Sequence, residues 1–587
     1  MNQKKQTLKE TFVEAFKSYK KKEYEKAEIY CYKIISIDPY HIDSLSLLAT
    51  ISALNANHSK AKTFLDKVIE IQPNNINALH NLGTVYKALG KIKEAINLFE
   101  KVLIMNPEHI NANYNLGLMF YRLDDAAKAK IYLQKTVSIQ SNYALAFFSL
   151  GNVHVELKEF ENAISCYQKA IEINPNIVGA HNNLGLVFRG FNDYENAISC
   201  YEKAIKIQPN HSGAHHNLAL TFKEQGNFEK AIKSHKAAIK YEPENLTHYH
   251  FLSELKDDVL DLTLKEKIVK IITTKSTQTN QAYGNYLLAK YERKAKNYKK
   301  ELDYLIKGHL NFFNSRKKKF NLGVKYCFED VIQIAENISF EKSDQNNEEE
   351  LNPIFIIGVP RCGSTLVEKI ISSNEKNVSS GEETQVLENY VNKKILENKS
   401  LNLGSETIVR SDLYSIYNQK GLISKINKYV FTDKSLNNFF YLKLINKIYP
   451  KAKIINCRRD NLSSIMSIFQ NNLTELAWTH DLENIFKYFN NYFKILENYK
   501  KNNSNSIYEL RFENLANNPE EESKKLMKFC GLPWDKNCLE FYKKKNLISK
   551  TASNIQIRKA IYKHSQDKYF PYKALLNKYG KKYSWFK

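Results

Sequence analysis

Residues 353–365 read Pro-Ile-Phe-Ile-Ile-Gly-Val-Pro-Arg-Cys-Gly-Ser-Thr, an apolar run that breaks into a glycine turn and then small hydroxyl residues. Ile354–Ile357 predicts a buried strand, and Gly363-Ser364-Thr365 predicts a tight turn opening a helix. Gly358 and Gly363 keep the spacing of the phosphate-binding pattern G-x-x-x-x-G-K-[ST], but Ser364 stands where that pattern has lysine. Such a turn aims backbone N–H groups and a helix N-terminus at an anion. The missing lysine points to a nucleotide anion and away from ordinary ATP or GTP hydrolysis.

Downstream, strand signals at Tyr429–Thr432, Lys453–Cys457 and Ser506–Leu510 alternate with helical patterns at Thr365–Ser372, Leu436–Tyr449, Leu462–Phe469, Leu482–Tyr499 and Pro519–Cys530. Alternation of this kind predicts an α/β, P-loop-like domain with a mostly parallel sheet and ligands at the strand C-termini. Four motifs fall at those ends: Val359–Thr365, Thr432-Asp-Lys-Ser435, Cys457-Arg-Arg-Asp460 and Arg511–Leu515.

Upstream, Pro39, Pro73, Pro107, Pro175, Pro209 and Pro243 lie on a 34-residue grid, with Ser141 in the remaining slot. Twelve residues before each stands alanine: Ala27, Ala61, Ala95, Ala129, Ala163, Ala197 and Ala231. Twenty-four residues before stand Ala15, Ala49, Gly83, Gly117, Gly151, Gly185 and Ala219. Small residues recur where two helices of a hairpin approach closely, and proline ends the second helix. The period and columns resemble the tetratricopeptide repeat, so residues 1–245 are expected to form an α-solenoid of seven repeats.

Asn81, Asn115, Asn183 and Asn217 form a row two residues before the glycine/alanine column. Side-chain amides both donate and accept, so such a row can hold an extended polypeptide along the groove. It resembles the asparagine ladder of the O-GlcNAc transferase solenoid; bonding within or between hairpins is the other reading. His80, His181, His215 and His216 are expected in the groove, with no metal-ligand partners in step. Residues 246–340 are expected to be degenerate helical repeats or a linker, with Glu301 continuing the alanine column. Polar Glu341–Asn352 marks the boundary before a third region, 352–587.

The chain has 587 residues, enough for several domains, and its Lys+Arg count of 87 exceeds Asp+Glu at 63 by 24. That surplus attracts anions, or reflects a lysine-rich composition; nucleic acid is not expected on charge alone. Eight scattered cysteines show no metal-ligand spacing, the N-terminus has no signal-peptide core, and no apolar run could span a bilayer. A cytoplasmic location with no metal and no transmembrane segment is expected.

Together, PRCGST, GEET, TDKSLNNF, INCRRDNLSS, GLPWD and TASNIQIRKAIY resemble the PAPS-dependent sulfotransferases, especially the tyrosylprotein sulfotransferases and their repeat-fused bacterial relatives. PAPS is 3′-phosphoadenosine 5′-phosphosulfate, released as PAP. The resemblance implies that Arg361, Cys362, Gly363, Ser364 and Thr365 cradle the 5′-phosphosulfate, and that Arg459 and Ser467 bind the 3′-phosphate, with adjacent Arg458 as a substitute. Thr551, Ser553 and Arg558 match a late nucleotide-contacting segment. Two adjacent glutamates alone read as a solvated pair; the resemblance makes Glu383 the base for the acceptor hydroxyl, with Glu382 as runner-up. Lys434 matches a lysine that steadies charge on the bridging oxygen.

Three departures are visible: Cys362 replaces a commoner serine, Phe512 a cofactor-contacting tyrosine, and Gln385 an arginine that grips acidic peptides. The expected activity is sulfuryl transfer to an acceptor hydroxyl, foremost a protein tyrosine held by the repeat groove. A carbohydrate or small-molecule acceptor, or a non-catalytic PAP-binding scaffold, is the alternative.

Overall fold

The computed structural model describes residues 2–274, 276–341, 351–373, 378–423, 430–502, 507–543, 551, 553–561 and 566–586. Most of the polar boundary Glu341–Asn352, and Tyr429, Ser506, Ala552 and Tyr562 of the sequence motifs, fall outside that set. The chain divides into two compact units, Met1–Leu218 and Ala219–Lys587.

In the first unit the 34-residue grid becomes helical hairpins. Second helices run Tyr24–Ile37, His58–Ile71, Ile92–Met105, Ala126–Ile139, Phe160–Ile173 and Tyr194–Ile207, each ending two residues before the proline column. Every alanine from Ala27 to Ala197 in its column is fully buried. The glycine column has a steric cause. A Cβ on Gly117, Gly151 or Gly185 would sit 2.6–2.7 Å from Leu133, Tyr167 or Tyr201, four residues beyond the facing alanine. Close-packed interiors leave no room for that carbon.

A further column emerges six residues after the prolines. Asn113 Nδ2 donates to the Pro107 carbonyl at 3.1 Å, and His181 and His215 Nε2 meet the Pro175 and Pro209 carbonyls at 2.9 and 3.0 Å. His181 is buried. These two histidines therefore tie the inter-repeat turn, and His181 at least does not stand open in a groove.

In the second unit, hairpins continue through Phe228–Tyr241, Leu246–Leu255, Leu262–Thr273, Gln278–Lys294 and Tyr298–Ser315. Leu246, Ile268, Leu287 and Phe312 share one apolar core with the sheet residues Ile354–Ile357. Glu301, in the alanine column, is fully buried and satisfied by Arg293 Nε at 2.6 Å, Gln470 Nε2 at 2.9 Å and Tyr572 OH.

The sheet comprises β1 (Asn352–Gly358), β2 (Val430–Asp433), β3 (Lys453–Arg458) and β4 (Ile507–Arg511). All pairings are parallel, in the order β2-β1-β3-β4. Ile354, Phe355, Ile356 and Ile357 are all buried, because helices cover both faces of such a sheet. Registers Phe355↔Asp433, Gly358↔Cys457 and Arg458↔Arg511 bring all four strand ends to one edge. The chain leaves β1 for β2 on one side and then crosses back past β1 to β3 on the other. That reversal makes a crevice at the carboxyl ends. The region read as one helix, Leu436–Tyr449, is a 3-10 run, Leu436–Tyr441, feeding the α-helix Leu442–Ile448.

Candidate active site

β1 ends in a turn whose backbone only a few residues tolerate. Gly363 has φ +100° and a Cβ there would lie 2.7 Å from Phe512 Cδ2; Arg361 itself sits at φ +68°. Helix Ser364–Ile371 starts immediately after, with Ser364 and Thr365 buried in its first turn. The leading N–H groups of a helix have no intrahelical acceptors, which suits this turn to an anion.

The Arg361 guanidinium gathers residues far apart in the sequence. Nε donates to Ser467 Oγ at 3.0 Å, Nη1 to Ser553 Oγ at 2.8 Å and Nη2 to Gln556 Oε1 at 3.2 Å. Ser467 is carried by helix Asn461–Gln470, whose N-terminus Asp460 caps. Arg459 donates to the Arg361 carbonyl at 3.4 Å, and its guanidinium lies 5.0 Å over the Phe512 ring. Arg361, Gly363, Arg459, Phe512, Ser553 and Gln556 line a cavity with about 580 Å³ of empty space, part of it open to solvent, and Ile557, Lys559 and Ile561 complete its wall. Three cations face this space, and no carboxylate lines it among the described residues.

The remaining expected residues are placed as follows. Cys362 is buried with its free thiol hydrogen-bonded to that of Cys457, so its main chain is what it offers the cradle. Arg458 turns to the Phe493 ring, 5.4 Å away, and is not among the residues lining the cavity. Thr551 Oγ1 accepts from Ser553 N at 3.3 Å and supports the turn from outside the cavity lining. Arg558 is also outside that lining: its Nη2 donates to the Glu224 carbonyl at 2.9 Å. From the same segment Ser553, Gln556, Ile557, Lys559, Ala560 and Ile561 line the cavity, so it supplies polar groups, an apolar wall and one cation, Lys559.

At the end of β2, Lys434 is fully buried and its Nζ donates to Glu383 Oε1 at 2.9 Å. Burial works to lower the Lys434 pKa, but the carboxylates of Glu383, Glu368 and Glu382 outweigh it, and the net shift is upward. Lys434 is an ammonium at neutral pH. Glu383 is 44% exposed, open to an incoming group, whereas Glu382 is committed to Lys369 at 3.2 Å.

Two buried carboxylates that sequence reasoning did not single out hold this loop. Glu368 Oε1 accepts from Glu382 N and from Thr432 Oγ1, both at 2.8 Å. Asp433 accepts from Thr384 Oγ1 at 2.9 Å, Ser435 Oγ at 2.6 Å and Asn438 Nδ2 at 3.0 Å. Gly381 permits the approach: a Cβ there would lie 2.0 Å from the Thr432 carbonyl oxygen. Asp433 was visible inside the Thr-Asp-Lys-Ser motif. Glu368 had no local signal.

In the first unit the asparagine row is engaged between hairpins. Asn115 accepts from Lys87 Nζ at 2.7 Å, Asn183 donates to Asn152 at 2.8 Å and Asn217 to Asn182 at 2.9 Å. Asn81 is exposed. Among the described residues no helix is long and apolar enough to cross a membrane.

Residues 353–536 match the family model described as the sulfotransferase family. Tetratricopeptide repeat models match residues 80–144, 151–189, 178–211 and 200–233, and residues 20–102 match a model of anaphase-promoting complex subunit 3. An uncharacterised protein of Aquifex aeolicus is 29% identical over half of this chain and 40% of its own length. Protein-tyrosine sulfotransferase A of Caenorhabditis elegans is 25% identical over 41% of this chain and 65% of its own length. The chain thus spans less than two thirds of either relative. Among solved structures, YrrB, titled a TPR protein with an unusual peptide-binding site, is 27% identical over 32% of this chain and 96% of its own, with a TM-score of 0.29. The chain is therefore a tetratricopeptide repeat protein whose C-terminal region is a domain of the sulfotransferase family.

Proposed function

We propose that this protein transfers a sulfuryl group from PAPS to a hydroxyl of a polypeptide, with tyrosine as the foremost acceptor. The observation that carries the reading is the cavity shared by Arg361, Arg459 and Lys559, walled by Phe512 and Ile557 and free of lining carboxylates among the described residues. A nucleotide with anionic groups at both 3′ and 5′ ends needs that combination of separated cations and apolar walls. Arg361, Ser364 and Thr365 would hold the 5′ end, with Gly363 leaving room for it; Arg459 and Ser467 would hold the 3′-phosphate. Guanidinium–phosphate bonds are charge-assisted, each contributing about 1.5–3 kcal/mol.

The bound donor supplies an electrophilic sulfuryl group attached to a phosphate. Glu383 accepts the proton of the approaching hydroxyl, work that a positioned carboxylate performs for roughly a 10²–10⁴-fold gain in rate. Lys434 keeps a fixed positive charge beside Glu383, where the donor's bridging oxygen would gain negative charge. Glu368 and Asp433 hold the two loops so that both groups are in place before substrate arrives.

The tyrosine acceptor is supported by the resemblance of the GEET segment and by the relative named as a protein-tyrosine sulfotransferase. The repeat groove is assigned to a protein or peptide that would meet the row Asn81, Asn115, Asn183 and Asn217, the last three exchanging their bonds between hairpins for it. A cytoplasmic setting belongs to the same reading, since all eight cysteines stand as free thiols.

The test is incubation of the full chain with sulfur-labelled PAPS and a polypeptide pool, followed by mass spectrometry of the products. Sulfotyrosine is expected. Label on a carbohydrate or small molecule would refute the acceptor, and no transfer with no PAP-dependent thermal shift would refute the enzyme.

A further inference from the structure

Segment 553–561 has two sets of contacts. Ser553, Gln556 and Lys559 line the nucleotide cavity, and the first two accept from Arg361. On another side, Asn554 and Arg558 both reach the carbonyl oxygen of Glu224, at 3.2 and 2.9 Å, and Arg558 Nε donates to Asn554 Oδ1 at 3.2 Å. Glu224 lies in the last turn of helix Ser212–Gln225. The final carbonyls of a helix have no intrahelical donor, and a cation there complements the negative end of the helix dipole.

Gly226 follows that helix with φ +81°, and a Cβ on it would lie 2.3 Å from Arg558 Cζ and 2.4 Å from Nη1. The glycine thus serves the left-handed turn and vacates the volume that the guanidinium fills. Phe228, at the start of the next helix, lies 5.9 Å beneath that guanidinium. Asn554 is buried although its side chain is polar, consistent with a built contact.

Resting on the functional reading above, we propose that Arg558 is a positioning residue: it latches segment 553–561 to the repeat-helix end at Glu224 and thereby sets the cavity wall that receives the nucleotide. Arg558 itself lies outside the cavity lining. Its effect passes through Ser553, Gln556 and Lys559, because bonds from Gln556 N and Ile557 N to the Ser553 carbonyl, at 2.9 and 3.0 Å, make the turn a single short unit. A chain whose latch is released should bind PAP more weakly and need more PAPS for half-maximal rate. It should keep its turnover at saturating donor, since Glu383 and Lys434 lie on other loops.

Hydrogen–deuterium exchange of amides 553–561 in the full ligand-free chain tests the latch without PAP. Arg558→Ala and Gly226→Ala should each speed that exchange, while Arg558→Lys, which keeps one donor and the charge, should restore part of the protection. PAP calorimetry on the same proteins should show about tenfold weaker binding for both alanine variants, with KM for PAPS raised and kcat held. Exchange and KM unchanged in both alanine variants would overturn the latch. Altered exchange together with a wild-type chain that binds no PAP would support the latch and overturn the functional reading. Two variants on opposite sides of the contact guard against one of them failing to fold.

Discussion

Gly185 packs against Tyr201, sixteen residues on, whereas Arg361 finds its partners Ser467 and Ser553 at separations of 106 and 192 residues. The repeats of Met1–Leu218 are built from contacts that recur within one period or between adjacent periods. The site in Ala219–Lys587 exists only when β1, β3, the helix of Ser467 and the segment at 553 have all come together. Damage in the first region should therefore stay near its period, and damage in the second should reach function directly.

Acid should separate the two regions most strongly. Burial holds His235 at about 3, His250 and His309 at about 4 and His480 at about 2, all below the ordinary 6.5. All four lie in the second unit. Their folded pKa values are depressed, so the unfolded chain binds more protons below pH 6.5, and the stability present above that value is lost as pH falls toward 4. All three tryptophans, Trp478, Trp534 and Trp585, are also in that unit. Tryptophan fluorescence should therefore report unfolding at a higher pH than the helical circular dichroism signal; coincident transitions would break the comparison.

Within the second unit, Glu383→Gln should cut turnover by about 10²–10⁴-fold while leaving PAP affinity and the repeat helices unchanged; a matching loss of affinity would mean the carboxylate holds donor and is not the base. Arg361→Ala removes the guanidinium that joins three segments and faces the cavity. Steady-state kinetics and PAP titration should show affinity down by roughly 10–100-fold. Gly185→Val is the counterpart in the repeats. It should displace Tyr201 and cost about 1–3 kcal/mol, seen as a lower melting temperature of the helical signal with no change in PAP affinity.

The same contrast explains what could be read in advance. The 34-residue columns state their own packing, because each alanine or glycine meets its partner at a fixed short offset. Ile354–Ile357 and the turn at Gly363 were legible because a buried parallel strand is apolar throughout and a left-handed turn selects glycine. Glu383, Lys434, Arg459 and Ser467 came from resemblance, and the first two do pair at 2.9 Å. Glu368 was silent because a carboxylate in a helix names no partner until Thr432 and Glu382 are brought to it. Arg558 came from resemblance, and Lys559 carried no signal of its own until the folded segment placed it in the cavity lining. The asparagine row was legible with two readings, and the bonds between hairpins made by Asn115, Asn183 and Asn217 are one of them, although their partners could not be named in advance.

The most direct test of the central claim is a crystal structure of the chain grown with PAP. The account predicts density for the nucleotide in the cavity at the β1 and β3 ends, its 5′-phosphate against Arg361, Ser364 and Thr365, its 3′-phosphate on Arg459 and Ser467, and Glu383 beside the 5′ end. Nucleotide bound elsewhere, or an intact cavity that stays empty at saturating PAP, would contradict it.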